Sequence, residues 1–173
     1  MELDILPLRP DVERSSLSSG DVDLDQFFRK FAGQNQSRLH VGTPSVASSA
    51  GNVVGYVTIA PGTIVIDRLP RREQQRVPAY PLPILRLARL AVATTHQGHG
   101  IGSRLVRFAL ELAREMAERF GCVGVVADVS ADRIDLLTAV ENGGAGSFYS
   151  ASRNSLATTL TTGAREVCQH SVL

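Results

Sequence analysis

The chain has 173 residues, enough for one domain with a sizeable buried core. Its 43% hydrophobic and 20% charged content is that of an ordinary globular fold, and a net charge of +1 supplies no global pull toward nucleic acid or membrane. No apolar run approaches the ~18 residues that suggest a spanning helix. Met1-Glu2-Leu3-Asp4 is acidic and lacks a secretory signal pattern, so a cytoplasmic protein is expected. Cys122 and Cys168 lie far apart without metal-ligand spacing, and no metal site is expected.

Glu2 to Leu8 reads as a first strand, ended by Arg9-Pro10. Leu24, Phe27, Phe28 and Phe31 recur with helical period, Asp21 or Asp23 can cap that helix, and Gly33 can close it. Leu39 to Ala47 and Asn52 to Ala60 predict two strands joined by the hairpin turn Ser48-Ser49-Ala50-Gly51. Thr63 to Asp67 predicts a further short strand, and Arg68 to Pro83 a polar, proline-bearing loop. Ile84 to Val92 is apolar except for Arg86 and Arg89, which suits a central strand. Ser103 to Phe120 predicts a helix whose apolar stripe is Leu105, Phe108, Ala109, Leu112, Ala113, Met116 and Phe120, capped by Gly121. Val123 to Asp128 then reads as a buried strand, reached by a right-handed crossover and parallel to its predecessor. Ala131 to Val140 predicts a short helix and Asn142 to Gly146 a turn cluster. Ser147 to Ser152 and Leu156 to Thr161 predict two antiparallel strands. No repeat or linker divides the chain, so a single domain over 1–173 is expected.

The loop between the central strand and the long helix carries the chemistry. Gln97-Gly98-His99-Gly100-Ile101-Gly102 is a strand–glycine loop–helix junction, where uncovered backbone N–H groups and the positive end of the helix converge on a site for phosphate or pyrophosphate. A P-loop needs Lys then Ser or Thr after its last glycine, whereas Ser103-Arg104 follows here. The dinucleotide fingerprint G-x-G-x-x-G fails too, because Gly98, Gly100 and Gly102 fall on every second residue. A plain glycine turn is the remaining alternative.

Gln97-x-x-Gly100-x-Gly102 resembles the acyl-CoA pyrophosphate loop of the GNAT N-acetyltransferases, and Leu87-Ala88-Arg89-Leu90-Ala91-Val92 resembles that family's cofactor-pairing strand. Ser18-Ser19-Gly20-Asp21-Val22-Asp23-Leu24-Asp25-Gln26-Phe27, Ala32-Gly33-Gln34-Asn35-Gln36 and Val54-Gly55-Tyr56 resemble the N-terminal half of the branch that includes toxins acetylating aminoacyl-tRNA. The resemblance implies an α/β (α+β) fold with a mixed, mostly antiparallel central sheet, a parallel strand pair splayed at the acyl-CoA site, and flanking helices. It implies acetyl-CoA as cosubstrate and a primary amine as acceptor, charged tRNA in the toxin-type reading, with an antitoxin protein as a further partner and a homodimer left open. No membrane partner follows. The competing readings are a small-molecule or protein-amine acetyltransferase and a catalytically weak CoA-binding module.

On this resemblance the pyrophosphate rests on the amides of Gly98, His99, Gly100, Ile101, Gly102 and Ser103, with Gln97 steadying the loop. The peptide-like pantetheine arm pairs with backbone along Leu90, Ala91 and Val92, as an added strand would, and an N–H near Leu90 faces the thioester carbonyl. Arg104 either adds charge beside the phosphates or is a solvated first-turn side chain. Family members place a Phe-Tyr pair, whose tyrosine is the general acid, on the helix after the last parallel strand. Here that place is held by Leu136-Leu137, and leucine has no proton to give. Phe148-Tyr149 occurs further on, so Tyr149 is either the displaced acid or an ordinary strand aromatic, with Tyr80 a second candidate. His96 and His99 flank the loop as surface or loop-facing side chains rather than bases, while His40 falls in a strand run and His170 in the tail. Arg68, Arg71, Arg72 and Arg76, followed by Arg86 and Arg89, form either a phosphate-binding face or a solvated loop balanced by Asp67 and Glu73. Gln34, Asn35 and Gln36 either meet substrate or satisfy backbone at a helix end.

Overall fold

The computed structural model describes residues 2–39, 41–65, 75, 79–129, 147–150 and 156–161. The chain divides into two compact units: Met1–Ala60 with Leu87–Phe108, and Pro61–Arg86 with Ala109–Leu173.

The first unit contains strand β1 (Asp4–Pro7), helix α1 (Val22–Lys30), the short helix α2 (Ala32–Gln34) running into one π turn (Asn35–Leu39), and strand β2 (Thr43–Ser49). It also takes most of strand β3 (Asn52–Ile64), the second half of strand β4 (Leu82–Val92) and the start of helix α3 (Ile101–Arg119). Its strand order is β1-β2-β3-β4, with β1 and β3 both antiparallel to β2. Asp21 caps α1, accepting the N–H groups of Asp23 and Leu24 at 3.1 Å each. Asp23 and Asp25 in the first turn and Arg29 and Lys30 in the last suit the helix dipole. Phe28 stacks on Tyr56 with centroids 4.5 Å apart, and Tyr56 donates its hydroxyl to the Leu24 carbonyl at 2.8 Å. Burial pushes the Tyr56 phenol far above its ordinary range, so it serves as a neutral core donor. Leu8, Leu17, Phe27, Ala32, Val46, Ala91 and Ala93 complete this core.

Several boundaries differ from expectation. Gly33 does not close the first helix: Phe31 ends α1 in a right-handed conformation, its N–H bonded to Phe27 O at 2.8 Å, and coiling resumes in α2. That coiling consumes residues up to Leu39, so β2 begins only at Thr43. The predicted strand 52–60 runs on through Thr63 and Ile64, where the next was expected to start, as one strand, β3; Val65 lies past its end, and residues 66 and 67 fall outside the described residues. Pro61 lies beyond the β2 pairing, which ends at Thr43↔Ile59, so its missing N–H leaves no ladder bond unmade on that edge. The hairpin turn forms but is tighter than expected: Ser48 and Ser49 pair within β2, and Ala50 (φ 48°) and Gly51 (φ 79°) alone make the loop, both in the left-handed conformation that two-residue hairpin loops favour.

In the second unit the strand order is β4-β5-β7-β6, with β5 at Val125–Val129, β6 at Ser147–Ser150 and β7 at Leu156–Thr161. β4 and β5 run parallel, and Val123 donates to Pro83 O at 2.8 Å and Leu85 to Gly124 O at 3.0 Å. β7 is antiparallel to both β5 and β6, so the two expected C-terminal strands form. Ala109, Leu110 and Ala113 of α3 are buried, as are Leu82, Ile84, Leu85 and Val125 to Ala127. Phe120, expected in the apolar stripe, is 81% exposed, because α3 ends at Arg119 and Gly121 turns away at φ 91°. Cys122 is buried, and desolvation pushes its thiol up, as suits a packing residue. The helix expected at Ala131 to Val140, the turn cluster at Asn142 to Gly146, the Arg68 to Arg76 cluster, His40, Cys168 and His170 all lie outside the described residues.

Candidate active site

The glycine loop is suspended between β4 and α3 by ties to the rest of the first unit. Past Val92, Ala93 donates to Val54 O and Thr94 to Ser18 O, both at 2.9 Å. One 3-10 turn, Thr94–His96, then delivers Gln97. The Gln97 carboxamide spends both N–H donors on backbone: Nε2 reaches Ser19 O at 2.9 Å and Val92 O at 3.0 Å. The strand end and the segment before α1 are therefore pinned by one side chain, the steadying role expected of Gln97.

Ser19 is fixed in turn. Asp25 Oδ1 accepts both the Ser19 N–H at 2.9 Å and its hydroxyl at 2.7 Å, with Ser19 and Asp25 both buried. The other carboxylate oxygen faces Arg29 at 4.0 Å, and Arg29 donates to Leu17 O at 2.8 Å. Asp25 thus holds Ser19, and Ser19 receives Gln97. In the sequence Asp25 is only one of several acids near a helix start. Its burial on the helix face shared with Phe28 is a tertiary fact that local pattern does not disclose.

The loop backbone has the expected shape. Gly98 (φ 78°) and Gly100 (φ 75°) are left-handed, and a Cβ built on either meets nothing within 4 Å. The glycines are needed for conformation, and the space beside them is open to a ligand. α3 begins at Ile101, two residues before the expected Ser103, because the carbonyl of Gly100 already accepts the Arg104 N–H at 3.1 Å. The N–H groups of Ile101, Gly102 and Ser103 precede the first intrahelical donor, the Arg104 N–H, so they have no acceptor within the helix and face the loop with the positive end of the helix dipole. Ile101 anchors this turn with 1% exposure. Gly55 on β3 permits the close packing: a Cβ there would stand 2.8 Å from Ala91 O, 3.5 Å from Ile101 Cγ2 and 3.4 Å from Leu105 Cδ1. This cluster of backbone donors fits a pyrophosphate.

On β4, Ala91 is buried while Leu90 and Val92 are half-buried. Arg89 lies over the Phe27 ring, 3.9 Å from its centroid, which accounts for it as a packing cation. Arg104 reaches Leu3 O at 3.5 Å. His96 bonds Thr95 Oγ1 at 2.8 Å and His99 bonds the Gln97 carbonyl at 2.9 Å, so both are loop-facing as expected. Tyr80 is 60% exposed. Tyr149 lies on β6 opposite Thr159; its side chain, with Leu136 and Leu137, is outside the described residues. Among the described residues no three His, Cys, Asp or Glu side chains group to hold a metal, and no helix is long and apolar enough to cross a membrane.

A sheet with a parallel strand pair, joined through a glycine loop whose backbone donors fit a pyrophosphate, is the arrangement of the acyl-CoA-binding class of α/β transferases. The Acetyltransferase (GNAT) family matches residues 8–149, and the chain belongs to that family. Over 110 residues the chain is 36% identical to a tRNA-acetylating toxin of Mycobacterium tuberculosis (strain ATCC 25618 / H37Rv), a match covering 62% of this chain. The chain spans 63% of that relative's length. Among solved structures, AtaT complexed with acetyl-methionyl-tRNAfMet superposes with TM-score 0.81 at 21% identity, covering 96% of this chain and 98% of that one. A tyrosine-to-phenylalanine variant of KacT gives 0.78 at 18% identity, covering 94% and 96%. These two likenesses establish the fold.

Proposed function

We propose that the protein is an acetyl-CoA-dependent N-acetyltransferase of the cytoplasm that acetylates the free amine of an aminoacyl-tRNA. The observation that carries this reading is the Gly98–Ser103 cradle tied down through Gln97. The identity to a tRNA-acetylating toxin favours the acceptor over a small-molecule or protein amine.

In this reading the pyrophosphate rests on the loop amides and the pantetheine arm runs along Leu90 to Val92. The neutral amine attacks the thioester carbonyl. The N–C bond forms, the C–S bond breaks, the amine loses a proton and the departing thiolate gains one. A backbone N–H at Leu90 polarises the carbonyl oxygen, and Tyr149 donates the proton to sulfur. Tyr56 is not the donor, because its hydroxyl is buried and committed to Leu24 O. An antitoxin protein is the expected partner; a tyrosine-to-phenylalanine mutant of the AtaT toxin has been solved bound to the C-terminus of the antitoxin AtaR.

The test is acetyl transfer from labelled acetyl-CoA to a panel of aminoacyl-tRNAs, with the deacylated tRNAs as controls and thiol release followed in parallel. Label on the aminoacyl group with matching thiol release is expected. Transfer to simple amines alone would overturn the acceptor, and cofactor binding without transfer to any amine would leave a CoA-binding module.

A further inference from the structure

Between β1 and α1 the segment Leu17 to Gly20 belongs to no helix or strand, yet it is tied by hydrogen bonds on both sides. Leu17 is 1% exposed and Ser19 is buried. From α1, Asp25 Oδ1 accepts the Ser19 N–H and hydroxyl, and Arg29 donates to Leu17 O. Toward the glycine loop the segment presents two successive carbonyls. Ser18 O accepts the Thr94 N–H and Ser19 O accepts Gln97 Nε2, each at 2.9 Å. These two donors bracket the 3-10 turn that leads into the loop. Gly20, left-handed at φ 86°, lets the segment close on that turn, since a Cβ there would already touch Thr94 Cγ2 at 3.4 Å. All of these residues lie in the first unit.

A carboxylate is costly to bury unless it is hydrogen-bonded, and Asp25 is 8% exposed. Neither helical role of an acid explains that burial. Asp21 already caps α1, and Asp23, exposed in the same first turn, serves the dipole from solvent. The Asp25 carboxylate instead fixes the residue on which Gln97 ends, through charge-assisted bonds, which are the stronger kind. The loop needs such a fixed point. A Cβ built on Gly98 or Gly100 meets nothing within 4 Å, so the loop is held at its ends: by buried Ile101 on the helix side and by Gln97 on the strand side. We infer that Asp25 and Ser19 are positioning residues for acetyl-CoA, holding the loop amides in the pose that receives the pyrophosphate and acting through Gln97 rather than by touching the cofactor. Donors fixed in advance lose little entropy when the anion arrives. Slackening the tie therefore weakens the grip on the nucleotide end and spares the Leu90 to Val92 backbone that takes the pantetheine arm. The inference rests on the acetyl-CoA reading above.

The test titrates the full chain with acetyl-CoA and with acetylpantetheine, the thioester and arm without the nucleotide. It compares the parent with Asp25→Ala, Asp25→Asn, Ser19→Ala, Gln97→Leu and the pair Asp25→Ala/Gln97→Leu, with thermal melts to check that each is folded. Asp25→Ala is expected to lose about three- to tenfold in acetyl-CoA affinity while acetylpantetheine affinity holds. In turnover the KM for acetyl-CoA should rise by the same factor and kcat should hold. Ser19→Ala, which keeps the backbone N–H tie, should lose less, and Asp25→Asn, which keeps the acceptor, should recover most of the loss. A residue that acts through Gln97 adds nothing once Gln97 is gone, so the pair should bind acetyl-CoA no worse than Gln97→Leu alone. Equal losses for both ligands, losses that add in the pair, or unchanged acetyl-CoA affinity in Asp25→Ala and Ser19→Ala would overturn the inference. Should Asp25→Ala not fold, Ser19→Ala alone and with Gln97→Leu decides the same question. If the parent prefers acetyl-CoA to acetylpantetheine and Asp25→Ala keeps that preference in full, the positioning role falls and the cofactor reading stands. If the parent binds acetyl-CoA no better than acetylpantetheine, the cofactor reading itself falls and the inference with it.

Discussion

The glycine loop and a basic groove lined by Arg9, Arg14, Lys30 and Arg38 both belong to the first unit and both present positive charge, but they are made of different material. The loop offers backbone N–H groups at left-handed glycines and a helix start, fixed by Gln97, Ser19 and Asp25. The groove offers long cationic side chains, most of them exposed, on three segments. Backbone donors are positioned in advance and lose little entropy on binding, so they suit one ligand held in one pose. Flexible cations suit a polyanion whose register can vary, at the cost of strong salt dependence. The loop is therefore broken by changing conformation, and the groove by changing charge.

The largest effect is expected where chemistry, beyond either surface, is at stake. Tyr149→Phe should lower kcat by about 10²-fold or more while acetyl-CoA affinity holds, as loss of a general acid does; an unchanged kcat removes Tyr149 from that role. Gly100→Val comes next. A β-branched residue at φ 75° is strained by at least about 1–2 kcal/mol, so the loop must re-form and acetyl-CoA affinity should fall at least about tenfold. Because a Cβ there meets nothing, retained affinity would mean that the left-handed turn is not what binds. Gln97→Leu removes two donors to backbone carbonyls and should cost about 1–3 kcal/mol of stability together with a several-fold loss of acetyl-CoA affinity. Loss of stability alone would reduce Gln97 to a structural tie.

Asp25→Asn keeps an acceptor for Ser19 but removes the charge facing Arg29, and about 1 kcal/mol of stability is expected to go. Calorimetry with and without acetyl-CoA checks this, and a variant of parental stability would show the carboxylate charge to be idle. Tyr56→Phe should cost a similar or smaller amount. The folded phenol is held above its unfolded value, so the protein's stability is intact below the unfolded pKa of about 10 and declines as pH rises beyond it. The variant should lack this part of the alkaline decline, and an identical alkaline profile would contradict the assignment.

The sequence disclosed what depends on local chemistry. The Gln97–Gly102 loop, the Asp21 cap, the Ala50-Gly51 turn and the long helix were legible because glycine conformation, capping and apolar period act over a few residues. Element ends were less so. Nothing within Ala32-Gly33-Gln34 announces that coiling resumes after Phe31, and Pro61 looks like a break until the end of the β2 pairing is known. The Asp25–Ser19–Gln97 tie joins segments 78 residues apart, and no local pattern encodes it. The groove was visible only in part, through Gln34 and Gln36, because its cations are scattered along the chain and the near-neutral total charge conceals them.

On the proposed function the Gly98–Ser103 loop grips a pyrophosphate with its backbone. Calorimetric titration of the parent with acetyl-CoA and with acetylpantetheine, which shares the thioester and arm but lacks the nucleotide, tests it directly. Acetyl-CoA is expected to bind far more tightly, with most of that advantage gone in Gly100→Val. Equal affinity for the two ligands would show that the Gly98–Ser103 segment is only a turn between strand and helix.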